Sequence, residues 1–152
     1  RMHGEDEPDQ AARRYEESLR KEFGTPAPAW PRFDLILLGL GDDGHTASLF
    51  PGTPALSEQK RLIVQNPAPQ GAKQRLTFTA PLINQAQTVV FLVSGTSKAP
   101  ALKAVLEDRT ADSQRFPAKL IHPEKGRLIW FLDHAAAAEL TIEQQRVVSH
   151  EE

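Results

Sequence analysis

Apolar residues recur at three- and four-residue steps at Ala12, Tyr15, Leu19 and Phe23, the spacing that lines one face of an α-helix. Pro8 stands ahead of this stripe and Gly24 behind it, so a helix is expected from Asp9 to Phe23, with Gly24 as its stop. Thr25 to Pro31 carries three prolines and reads as a connector. Within it, Trp30 is expected to be a packing anchor. Phe33-Asp34-Leu35-Ile36-Leu37-Leu38 is then almost continuously apolar, the mark of a strand covered on both faces. Further strands are expected at Arg61–Gln65, Arg75–Thr79, Thr88–Val93 and Leu128–Leu132, with a surface loop from Asn66 to Lys73. Helices are expected at Ser97–Leu106 and Ala135–Leu140, and a short one should begin near His45. Leu37, Leu38, Val90, Phe91, Leu92, Ile129, Trp130 and Phe131 are assigned to the strand core. Strands alternating with helices predict an α/β fold with a mainly parallel sheet flanked by helices.

Composition narrows the class without changing that picture. At 152 residues the chain suits one domain, residues 1–152, with no internal repeat or low-complexity tract. The formal net charge is −2, with both signs interspersed; no basic stripe points to nucleic acid and no basic amphipathic face to a membrane. The longest apolar run, Leu35 to Leu40, is too short to span a bilayer. Cysteine is absent, which excludes disulfides, a thiolate nucleophile and any Cys-ligated metal, and fits the cytoplasm. Arg1 rather than Met opens the chain, and the expectation is that it begins inside a longer one.

The chemistry concentrates in Gly39-Leu40-Gly41-Asp42-Asp43-Gly44-His45-Thr46. Glycines in a strand-to-helix turn admit positive φ and close approach of a ligand, and ligands of open α/β sheets bind beyond the carboxyl ends of the strands. Gly39, Gly41 and Gly44 also satisfy G-x-G-x-x-G, but Asp42 and Asp43 place two carboxylates where a pyrophosphate needs donors. A dinucleotide site is therefore disfavoured. His45 is the sharper candidate, because imidazole titrates near neutrality and a nearby carboxylate can fix its tautomer for taking a proton from water. Asp43 is close enough in sequence to be that carboxylate. His3, His122, His134 and His150 are scattered, so no zinc site is expected. Ser48 lacks a G-x-S-x-G elbow, which leaves water as the more economical nucleophile.

The block from Phe33 through Gly39-Leu40-Gly41-Asp42-Asp43-Gly44-His45-Thr46-Ala47-Ser48-Leu49-Phe50-Pro51-Gly52 resembles the signature of the 6-phosphogluconolactonases. His3-Gly4-Glu5, Arg75-Leu76-Thr77 and Ser94-Gly95-Thr96-Ser97-Lys98-Ala99 are similar to that family in the same register. The related glucosamine-6-phosphate deaminases share a glycine–Asp–Gly–His loop, but their His is followed by an Ile and then an Asn-Glu-Pro segment; Thr46-Ala47-Ser48 follows the lactonase pattern. The resemblance implies hydrolysis of 6-phospho-D-glucono-1,5-lactone to 6-phosphogluconate in the oxidative pentose phosphate pathway, without a cofactor or metal. It implies His45 as general base, and places Lys98 and Arg75 where phosphate ligands are expected; Asp43, or its neighbour Asp42, is the candidate partner of His45 by sequence proximity, and the backbone geometry of a glycine loop makes amides near Gly41 and Gly44 candidate oxyanion donors. It also implies a missing N-terminal part bearing further phosphate ligands, so association with that part, or self-association, is expected. The competing readings are a deaminase or isomerase of amino-sugar phosphates and a non-catalytic sugar-phosphate-binding fragment.

Overall fold

Glu7 opens the first helix by accepting a hydrogen bond from the Gln10 amide at 3.1 Å, and Pro8 occupies the first turn, where its missing N–H costs nothing. In this computed structural model, which describes residues 1–69 and 74–141, helix α1 spans Pro8–Glu22. It ends at Gly24, whose φ of +59° is left-handed, where the pattern places the stop. Ala12 and Leu19 are buried and Tyr15 and Phe23 pack beside them, against Leu62, Ile63 and Leu82. Trp30 packs against the same cluster.

The remaining elements are β1 (Leu35–Leu38), β2 (Ile63–Pro67), β3 (Gln74–Phe78), α2 (Ala80–Ile83), β4 (Thr88–Val93), α3 (Ala99–Leu106) and β5 (Arg127–Leu132), with 3₁₀ turns at Pro54–Ser57, Thr96–Lys98 and Pro117–Leu120. Strands β1, β4 and β5 form a parallel sheet with β4 in the middle, pairing Leu38 with Phe91 and Phe91 with Trp130. The Phe91 and Trp130 rings stack 3.8 Å apart across that last pair. Because all three strands run the same way, the segments after Leu38, Val93 and Leu132 emerge at one edge. That edge carries the candidate site.

Several expectations need correction. Strands β2 and β3 do not join the parallel sheet but pair antiparallel with each other, Ile63 opposite Phe78, and α1 packs on them. The parallel sheet is well covered on one face only: Ile36, Val89 and Phe91 enter a core with Leu49, Leu56, Ile83 and Leu102, while on the other face Val90 is buried but Leu35, Leu37, Leu92 and Phe131 are exposed. Thus Leu37, Leu92 and Phe131 are not core residues of the described structure. No helix begins near His45, because Ala47 takes a left-handed φ of 50° and Thr46 pairs with Leu49 in an isolated bridge. Residues 135 to 140 form turns rather than a helix; the Asp133 side chain accepts from the Ala136 amide at 2.7 Å and its carbonyl from Ala137 at 3.1 Å. Of the expected loop Asn66–Lys73, Asn66 and Pro67 belong to β2, and Gln70 to Lys73 lie outside the described residues. His150 lies outside them too.

Candidate active site

The turn after β1 folds back on itself through backbone bonds from Gly41 N to His45 O at 2.8 Å and from Gly44 N to Gly41 O at 2.9 Å. Thr46, fully buried, ties the two ends together by donating its hydroxyl to Gly39 O at 2.8 Å. Within this loop Asp43 Oδ1 accepts the His45 backbone N–H at 3.0 Å and lies 2.6 Å from His45 Nδ1. A carboxylate can only accept, so in the neutral ring the proton belongs on Nδ1 and the lone pair on Nε2. The imidazole also leans on Phe50, ring centroids 4.8 Å apart, and stays partly open to solvent.

Gly41 is required here by space. A Cβ at that position would lie 2.1 Å from His45 Nδ1 and 2.7 Å from Asp43 Oδ1. Gly44 is required twice over, by a φ of +79° and by Phe116, whose ring a Cβ would meet at 2.7 Å. Phe116 belongs to a segment that closes over the loop: Gly44 O accepts from Ala118 N and Gln114 O from Gly52 N, both at 2.9 Å. The expected oxyanion role of the Gly41 and Gly44 amides is not supported, since both N–H groups are spent inside the loop.

Lys98 reaches the same place from β4. Its Nζ lies 2.5 Å from Asp42 Oδ1, to which Ser97 Oγ also donates at 3.1 Å. These two donors hold the Asp42 carboxyl below the usual carboxylate range, Lys98 contributing most. Lys98, His45, Gly41 and Ala47 line one cleft at the strand ends. Arg75 does not line it: this residue is exposed on β3, opposite Asn66. The structure thus brings together His45, Asp43, Gly41 and Lys98, and leaves Arg75 apart.

Three supporting residues escaped sequence reasoning. Asp133, just beyond β5, accepts from Ser94 Oγ at 2.6 Å and from the Gly95 amide at 3.1 Å, and so fixes the turn that carries Lys98. Those bonds, with the Ala136 amide, hold its carboxyl below the usual range. Asn66, buried in β2, donates to Ser48 O at 2.8 Å and Thr53 Oγ1 at 2.9 Å, and Thr77 Oγ1 accepts the Ser48 amide at 3.1 Å. The hairpin therefore anchors the segment downstream of His45. The only sequence signal was polar residues inside apolar strands, Asn66 after Val64 and Thr77 beside Leu76 and Phe78. Among the described residues no three His, Asp or Glu side chains converge as metal ligands, and no helix is long and apolar enough to cross a membrane.

Residues 1–130 match the family described as glucosamine-6-phosphate isomerases/6-phosphogluconolactonase. A 6-phosphogluconolactonase of Synechocystis is 52% identical over 134 residues, 88% of this chain and 54% of that protein. A human 6-phosphogluconolactonase is 43% identical over 135 residues, 88% of this chain and 51% of that protein. The solved 6-phosphogluconolactonase of Trypanosoma cruzi superimposes with a TM-score of 0.75 at 32% identity, over 88% of this chain and 52% of that one. The chain spans about half the length of the curated relatives it matches.

Proposed function

Because the chain belongs to the glucosamine-6-phosphate isomerase/6-phosphogluconolactonase family, we propose that it serves the hydrolysis of 6-phospho-D-glucono-1,5-lactone, with His45 as general base. The observation that carries this reading is the 2.6 Å contact between His45 Nδ1 and Asp43 Oδ1, which leaves Nε2 as the basic nitrogen. A water molecule gives its proton to Nε2 as its oxygen attacks the lactone carbonyl. Collapse of the tetrahedral adduct breaks the bond to the ring oxygen, which takes the proton back from the imidazolium, and the products are the open-chain acid and neutral His45. Asp43 stabilises the transient imidazolium and holds the ring in the productive tautomer. Lys98, in the same cleft, supplies a positive charge to the substrate phosphate. Arg75 would contribute only by reaching in from β3. No oxyanion donor is assigned to Gly41 or Gly44.

The test is hydrolysis of freshly made lactone above its spontaneous opening, by this chain and by its His45→Asn variant. The expected loss is about 10²–10⁴-fold, the usual contribution of a general base. A variant within a factor of two of the parent rejects the assignment. Ammonia release from glucosamine 6-phosphate would instead favour the deaminase branch of the family.

A further inference from the structure

Asp42 and Asp43 are neighbours with opposite assignments. Asp43 is committed to His45 through both the backbone amide and the ring. Asp42 turns to the other strand end, where Lys98 Nζ and Ser97 Oγ converge on its Oδ1 at 2.5 and 3.1 Å. An ammonium and a hydroxyl meeting on one anionic oxygen make the donor set that a phosphate oxygen uses. Asp133 holds the Ser94–Gly95 start of the turn that bears both donors, so that turn has an anchor besides Asp42. Asp42 is itself largely exposed while Lys98 is mostly covered, so the carboxylate can swing into solvent and leave the ammonium in place.

Resting on the lactonase reading above, we propose that Asp42 is a positioning and selectivity residue: in the free protein its carboxylate occupies the Lys98 and Ser97 donors as an internal stand-in for substrate phosphate, and it must be displaced for the phosphate to bind. A phosphate dianion, with its greater charge and several acceptor oxygens, competes for these donors. A neutral sugar lactone does not, and finds Lys98 already taken. The pair thereby sets a threshold that favours phosphorylated substrates.

The experiment measures the dissociation constant for inorganic phosphate, by NMR titration of the full chain, for the parent, Asp42→Asn, Lys98→Ala and the double variant, each first shown to be folded by its amide spectrum. Asp42→Asn is expected to tighten phosphate binding about three- to tenfold, the scale of releasing an exposed ion pair and removing one nearby like charge. That gain must vanish when Lys98 is Ala. Unchanged or weaker binding in Asp42→Asn, or an equal gain with and without Lys98, overturns the proposal while the lactonase reading stands. Phosphate that binds none of the four proteins removes Lys98 from the phosphate grip, and the proposal falls together with that part of the reading.

Discussion

The three glycines of the strand-end turn look equivalent in the sequence, but a single methyl group separates them. On Gly39 it would meet nothing within 4 Å, whereas on Gly41 it would land on His45 and Asp43. Gly41→Ala is therefore expected to push the imidazole off Asp43 and cut lactone hydrolysis by about 10²–10⁴-fold, as if the base were removed. The strain should cost about 1–3 kcal/mol of stability. Gly39→Ala should leave the rate within a factor of two. Paired rate and melting measurements decide the matter: a fully active Gly41→Ala enzyme would break the link between ring placement and catalysis. The G-x-G-x-x-G match thus reflects packing of the loop on its own side chains rather than a cradle for pyrophosphate. His45 and Lys98 were legible as candidates because they lie in a compact glycine-rich motif or in a matching strand–turn–helix; the choice of Asp43 over Asp42 needed the fold of the loop. The Asp42–Lys98 pair was not legible, since it joins loops from different strands and no local pattern encodes such a contact.

Among the elements, the parallel strand ends depend on Asp133, which ties the Ser94–Gly95 turn to the end of β5. Its carboxyl titrates below the ordinary range in the folded protein because Ser94 and the Ala136 and Gly95 amides bond to the ionised form. Such a group adds stability that is fully present above its unfolded pKa, about 3.9, and is lost as pH falls through the folded value. Asp133→Asn removes that dependence. The variant should melt at a lower temperature than the parent at pH 7, and the gap should shrink as the pH is taken below about 4. A gap that stays constant between pH 7 and pH 3 would deny the carboxylate its role. Helix α1 was readable end to end, because a 3.6-residue stripe bounded by Pro8 and Gly24 has few alternatives. The partners of the strands were not. Ile63-Val64 and Leu76 are short apolar segments that a parallel sheet or a hairpin would accept equally, and only the antiparallel register of Ile63 with Phe78 separates the two. The expected helix at His45 failed for a similar reason: Thr46 spends its hydroxyl on Gly39 O, a tertiary preference that helix propensity does not contain.

For the molecule as a whole, the parallel sheet presents a second face that the described residues leave largely open around the buried Val90. Leu35 and Leu37 on β1, Leu92 on β4 and Phe131 on β5 are each more than half exposed, Leu37 and Phe131 at 59%. Sheets of this type are ordinarily covered on both sides, and contiguous apolar patches drive association. The chain should therefore bind an apolar fluorescent dye and scatter light increasingly with concentration. Leu92→Glu combined with Phe131→Lys, neighbours in register on that face, should reduce both signals; signals unchanged in the double variant would place the sticky surface elsewhere. The strand order has a consequence of another kind. β1 precedes β4 in the chain by the whole α1-facing hairpin, yet Leu35 pairs directly with Thr88 and Leu38 with Phe91. Contacts between segments so far apart in sequence form slowly, since a long loop must close first. During synthesis on the ribosome, the strand that leads into the His45 turn must wait for β4 to emerge, and the Lys98 turn must wait for Asp133 after it. The candidate site thus takes shape only after β5 and Asp133 have emerged, and until then β1 lacks β4 and offers an apolar edge for chaperones to shield.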